Sequence, residues 1–145
     1  MSRKTAREDA FKLLFSMEVG NHTALEALDS YFSTEGKNKY EFSLDTNTED
    51  DKAYVRETIT GVFDNLTFID DTINRHSPHW KTDRLSKVTL AVLRLAVYEI
   101  TMNRHIPSSV SAKEAVRLSN IYGSEKDRSF VNGILGEIIK EIENA

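Results

Sequence analysis

His76 and His79 flank Pro78 and are the only two imidazoles of the chain that lie close together in sequence. A zinc site takes four protein donors, or three and a water; two histidines fall short, and His22 and His105 stand far from them. The chain has no cysteine, so it carries no thiolate nucleophile and no disulfide, as suits a reducing cytoplasm. Gly133 and Gly136 stand alone inside a helical pattern and form no phosphate-cradling loop. Neither G-x-S-x-G nor H-E-x-x-H occurs. The many acids lie where helix caps or solvated faces account for them, and no nucleophile is paired with a base. These residues predict no enzyme, no metal and no cofactor.

The remaining chemistry is ionic. Arg3, Lys4 and Arg7 fall in the first turns of an expected helix, where cations oppose the helix dipole and gain nothing from it. Such a group is either a solvated terminus or a phosphate-binding patch. Lys126 and Arg128 form a second basic group, next to Ser129 and Phe130. An exposed aromatic beside an arginine can stack on an unpaired base. Phe130 also shares a helical face with Ile134 and Ile138, which would make it plain core. Against these groups stands an acidic stretch, Glu41, Asp45, Glu49, Asp50 and Asp51, and a formal net charge of -4. That balance excludes a wholly basic nucleic-acid binder and describes a polarised chain.

The elements that position these residues read as helices throughout. Ser86 to Asn103 contains neither Gly nor Pro and is apolar round most of its circumference. Only Lys87, Arg94 and Thr101 mark a narrow polar strip, so this is a buried core helix around which others wrap. It is too short and too charged to cross a membrane. Glu99 falls inside its apolar arc and must find donors, expected at the start of a neighbouring helix. Thr5–Glu8, Thr23–Glu26 and Ser124–Asp127 have the form of capping boxes. Gly20 and Gly123 suit helix ends, Thr67 a helix start, and Pro107 a first helical position. Leu25, Leu28 and Phe32 mark a second helix, and Val55, Ile59, Val62 and Leu66 the buried face of a third. Residues 33–48 read as a long polar surface loop, and Trp80 as a plug between helices. Ala91 and Gly133 are expected to be close-packing positions. No alternating strand pattern appears. The expectation is one all-α domain over residues 1–145, with roughly seven helices whose ends are uncertain by a few residues.

Several blocks together resemble the NusB transcription antitermination family. They are Ala6-Arg-Glu-Asp-Ala-Phe-Lys-Leu-Leu-Phe15, Ala91-Val-Leu-Arg-Leu-Ala-Val-Tyr-Glu-Ile100, Ile106-Pro-Ser-Ser-Val110, Lys113-Glu-Ala-Val116 and Phe130-Val-Asn-Gly-Ile-Leu135. They occur in order over essentially the whole chain. The resemblance implies two packed helical bundles and an RNA- and protein-binding factor rather than an enzyme. Its RNA would be the boxA element of ribosomal RNA operon transcripts. Its protein partner would be the small-subunit ribosomal protein also called NusE, within the transcription elongation complex. Carried over by position, Arg3, Lys4, Arg7, Lys126, Arg128, Ser129 and Phe130 would face RNA. Phe15, Asp83 and Thr89 would face the protein partner. Thr89 replaces an acid common in the family, and Lys113 an asparagine. The family admits both monomers and homodimers. A NusB-like domain also precedes the catalytic domain of a ribosomal RNA cytosine methyltransferase, and a helical interaction module without an RNA role is a third reading. The chain ends after its last helix, without an α/β domain and its glycine-rich cofactor loop, which favours the antitermination reading.

Overall fold

The computed structural model describes residues 3–33 and 48–144. Among these residues are seven α-helices, one 3-10 turn and no strand, as the helical patterning predicts. The chain divides into two compact units, Met1–Asp64 and Asn65–Ala145. The first holds α1 (Arg3–Gly20), α2 (Ala24–Ser33) and α3 (Glu49–Asp64). The second holds α4 (Leu66–Arg75), the 3-10 turn Thr82–Arg84, α5 (Lys87–Met102), α6 (Ser108–Tyr122) and α7 (Glu125–Glu143). The expected polar loop falls at residues 34–47, outside the described ones.

In the first unit the three helices pack on one another, and Ala6, Ala10, Phe11, Leu13, Leu14, Val55, Ile59 and Val62 are buried between them. α1 is already helical at Arg3, so Thr5 lies inside the helix rather than at its cap. Its start is held instead by α3. Arg3 Nε donates to Asp51 Oδ1 at 3.2 Å, and its guanidinium lies 4.7 Å from the centre of the Tyr54 ring. α1 ends at Gly20, but the left-handed residue is Asn21, with φ 57°; asparagine tolerates that conformation because its short polar side chain can bond locally. The second capping box does form: Thr23 N donates to Glu26 Oε1 and Glu26 N to Thr23 Oγ1. The buried side of α2 is Ala27 and Tyr31, whereas Leu25, one of the apolar residues that mark this helix in the sequence, is 72% exposed. Tyr31 takes that place because its hydroxyl donates to the buried carboxylate of Asp9 at 3.1 Å, and a buried carboxylate requires donors. Thr48 caps α3, accepting from Asp51 N at 3.1 Å, and three acids occupy the helix's first turn, where the dipole favours them.

α5 is the centre of the second unit, packed against α4, α6 and α7. Ser86 caps it by accepting from Thr89 N at 3.1 Å. Leu90, Ala91, Val92, Leu93, Leu95, Ala96, Val97 and Ile100 are all buried. One polar side chain of α5 reaches each neighbour. Arg94 grips Asp70 of α4 with two bonds, Nε to Oδ1 at 3.0 Å and Nη2 to Oδ2 at 2.9 Å. Glu99, 1% exposed, accepts from Ser111 Oγ in the first turn of α6 at 2.7 Å. A donor is therefore found at the expected helix start, the Ser111 hydroxyl. Thr89 Oγ1 donates to Asp127 Oδ1 of α7 at 2.9 Å. At the surface, Arg75 and His76 both bond Glu141 of α7. Arg75 foremost, then His76, holds that carboxyl below its ordinary range.

Four expectations are corrected in this unit. Asn65, not Thr67, precedes α4; Thr67 sits exposed one residue into the helix. Pro107 is the residue before α6 rather than its first member, because its extended ψ of 138° lies outside the helix. Trp80 plugs nothing: it is 55% exposed. Gly133 is not a close-packing position. α7 buries Val131, Ile134, Leu135 and Ile138, so Gly133 and Gly136 face the opposite way, with nothing within 4 Å of a Cβ built on either. Glycine in an exposed helix interior costs about 0.8–1.0 kcal/mol relative to alanine. Gly133→Ala with Gly136→Ala should therefore raise the thermal midpoint by a few degrees. Thermal melts followed by circular dichroism check this; a lower midpoint would show that those positions are not open.

Candidate nucleic-acid and protein interface

The N-terminal basic group is less available than its sequence suggests. Lys4 is exposed. Arg3 is committed to the first turn of α3, with Asp51 at 3.2 Å and Asp50 at 3.7 Å. Arg7, expected at the surface, is 4% exposed, with its guanidinium 5.8 Å from the Tyr54 ring centre. The reason is helical spacing: residues 3 and 7 stand one turn apart on the same face, and both cations settle over one aromatic ring. Arg7 presents no surface to a ligand. Of the three, Lys4 alone is both exposed and outside any ion pair among the described residues.

The second basic group opens α7. Ser124 and Asp127 form a complete capping box: Asp127 N donates to Ser124 Oγ at 3.1 Å and Ser124 N to Asp127 Oδ2 at 2.9 Å. The Thr89 hydroxyl joins from α5. Burial raises the Asp127 carboxyl, but the bonds from Ser124 and Thr89 outweigh it, and the group titrates below its ordinary value. Around this fixed turn, Lys126 and Ser129 are exposed, and Arg128 is half-buried and paired with Glu125 at 3.4 Å. Phe130 is half-buried: it is neither plain core nor fully offered. It lines an open cleft of about 320 Å³ together with Trp80, Arg84, Leu85, Thr89 and Lys126. Trp80 and Arg84 were missed as site residues. The signal in the sequence was a lone tryptophan among polar neighbours, Pro78-His-Trp-Lys-Thr-Asp83, where no apolar periodicity calls for burial.

The residues carried over for a protein partner divide. Phe15 is half-buried and stacked on Phe11, ring centres 6.2 Å apart. Asp83 is exposed in the 3-10 turn. Thr89, expected as a contact residue, is 2% exposed; its hydroxyl is spent inside the protein on Asp127. Lys4 and Phe15 belong to the first unit, Asp83 and the α7 group to the second. Among the described residues no three His, Cys, Asp or Glu side chains gather to hold a metal ion, and no helix is long and apolar enough to cross a membrane. The arrangement holds exposed cations, half-exposed aromatics and engaged carboxylates, which suits binding rather than bond-making.

An all-helical binding protein is thus the class that fold and site define. The NusB family matches residues 4–140, and the chain belongs to that family. It is 39% identical over 140 residues to the transcription antitermination protein NusB of Acetivibrio thermocellus, covering 97% of this chain and 90% of that one. It is 36% identical to the NusB of Bacillus pumilus, over 99% and 98% of the two chains. Among solved structures, T. maritima NusB superposes with a TM-score of 0.84 at 34% identity, over 97% and 92% of the chains. A second, of antitermination factors NusB and NusE in complex with dsRNA, gives 0.81 at 25% identity over 96% of each chain. Membership places the chain among transcription antitermination factors, which are not enzymes.

Asp127 gives this site a pH signature. Its carboxyl is depressed in the folded state, so the stability it contributes is present above its unfolded value and lost as pH falls through the folded one. Asp127→Ala should cost about 1–3 kcal/mol at pH 7, and the difference from wild type should shrink as pH falls below the ordinary carboxylate value of about 3.9. Urea unfolding at pH 7 and pH 2.5 measures it; an equal cost at both would show that the ionised form does not matter.

Proposed function

We propose that this chain binds boxA-type RNA of ribosomal RNA operon transcripts together with the small-subunit ribosomal protein also called NusE, acting on the transcription elongation complex in the cytoplasm. The observation that carries the reading is the likeness, over 96% of both chains, to a NusB solved with NusE and RNA. This chain's residues fit that use. Lys4 on α1 and Lys126 on α7 are solvent-exposed cations for phosphates, Phe130 lines a cleft together with Lys126, and Ser129 adds a hydroxyl. Arg3 and Arg128 are held by Asp50, Asp51 and Glu125, so phosphate must displace a carboxylate to reach them. Arg7, buried over the Tyr54 ring, is not among the cations that would meet phosphate. Phe15 and Asp83 remain the residues proposed to meet NusE.

Pre-engaged cations make binding by the chain alone weak, and the partner protein raises it because RNA then touches two proteins at once. With few free cations the salt dependence is shallow, each phosphate contact adding about 0.7 to the logarithmic slope for single strands. A labelled boxA oligonucleotide titrated at several salt concentrations, with and without NusE, tests this. The expected result is weak binding alone, tighter binding with NusE, and preference over a scrambled sequence. Phe15→Ala should weaken the NusE complex and leave binding to RNA alone unchanged, while Lys4→Ala should lower the salt slope. Equal affinity for the scrambled RNA with NusE present would overturn the proposal.

A further inference from the structure

We propose that the groove between α2 and α3 docks an amphipathic helix of another protein, with its apolar residues on Leu25, Leu28 and Phe32 and one of its carboxylates on Arg56. None of these four residues belongs to the RNA or NusE contacts proposed above, so the two readings stand or fall separately.

α2 carries two apolar faces. Ala27 and Tyr31 turn inward and are buried. Leu25, Leu28 and Phe32, at i, i+3 and i+7, form a second stripe. Leu25 is 72% exposed, and Leu28 and Phe32 are half-buried. With Asp29, and with Arg56 and Thr60 of α3, they line an open groove of about 720 Å³. One exposed leucine is ordinary; three large apolar side chains lining one groove mark a docking surface. Arg56 is the only cation among the described residues of the groove. Its guanidinium lies 4.5 Å from the centre of the Phe32 ring, and it makes no ion pair among the described residues. A guanidinium held over a ring is fixed in place with N–H groups still available to a carboxylate. Asp29 is already engaged, so the charge that the groove offers a ligand is that of Arg56.

These features select the occupant. A single cation gives a polyanion too few phosphate contacts, and leucine offers no π-face to a base. Both walls are helices, and no strand occurs among the described residues, so an extended peptide finds no edge to pair with. The occupant must therefore satisfy its own backbone, as a helix does. From Leu25 to Phe32 the stripe advances seven residues, about 10.5 Å at 1.5 Å per residue, or two turns. That is the repeat of anchors at i, i+3 or i+4 and i+7 on a docked helix. One carboxylate beside those anchors completes the match by pairing with Arg56 through two parallel bonds.

The probe is a labelled helical peptide of about 14 residues, with Leu, Leu and Phe at i, i+3 and i+7 and glutamates beside them. It is titrated into the full chain and followed by polarisation. Two controls run alongside: one with lysine for each glutamate, and one of the same composition with its apolar residues scattered round the helix. The glutamate peptide should bind about tenfold more tightly than either control. Leu25→Ser should weaken it about tenfold. Arg56→Glu should reverse the preference, so that the lysine peptide binds this variant, a gain that misfolding cannot produce. Both residues are exposed, so both variants should keep the wild-type circular dichroism and the wild-type binding of boxA RNA with NusE. Equal binding of the glutamate peptide and either control overturns the proposal, as does binding of none. If the glutamate peptide binds only after Tyr40, Phe42 and Leu44 are replaced by serine, residues of the chain itself occupy the groove. If Leu25→Ser changes the sedimentation of the chain alone, a second copy does. Either result also overturns the proposal, and neither touches the RNA reading.

Discussion

Everything in the second unit depends on a helix with almost no polar side of its own. Because α5 is apolar nearly all round, hydrophobic burial favours covering it and says little about its rotation or axial position. Three polar contacts supply that information, one to each neighbouring helix. Each is demanding in its own way: a guanidinium must meet a carboxylate edge-on, a buried carboxylate must meet a donor, and a hydroxyl must find an acceptor. A slip of one residue would break all three together. The contact through Thr89 locks the beginning of α7, and with it Lys126 and Phe130, to the frame. An acid at position 89 would place two carboxylates against each other, whereas threonine donates. Thr89 and Asp127 are therefore matched as donor and acceptor inside the protein.

The cations tell a complementary story. This is an acidic chain whose arginines are largely spoken for: Arg3 by α3, Arg94 by α4, Arg128 by its own helix turn. Such pairs at the surface contribute little to stability, yet they set how readily a phosphate is bound. A ligand competing for a paired guanidinium gains only the difference between two anions. An unpaired lysine meets an anion without that competition.

Much of the fold was legible because helices announce themselves by period and by caps. The buried face of α5, the breaks at residues 65 and 123, and the caps at Thr23, Ser86 and Ser124 followed from local chemistry alone. What was not legible depended on partners distant in sequence. Leu25 outranks Tyr31 in hydrophobicity, and only the carboxylate of Asp9, twenty-two residues earlier, explains why the tyrosine is inside. The start of α1 could not be read from Thr5 because its anchor, Asp51, lies in another helix. Arg7 and Arg3 looked equivalent until Tyr54 drew one of them out of solvent. Gly133 looked like a packing position because glycine inside a helix invites that explanation, while the phase of the apolar residues around it pointed the other way. Trp80 was misread for the opposite reason: its size suggested burial where no pattern supported it.

The division at Asp64 and Asn65 has a consequence for how the protein comes into being. In the second unit, α5 to α7 are consecutive in the chain and joined by short turns, and each packs on the next. Contacts between segments close in sequence carry little loop-closure cost, and proteins rich in them fold quickly. A chain leaving the ribosome N-terminus first can complete its first three helices before α5 appears. The most apolar segment of the molecule is then released late, with its three covering helices within two elements of it in sequence, which shortens the interval in which that surface can meet another unfinished chain.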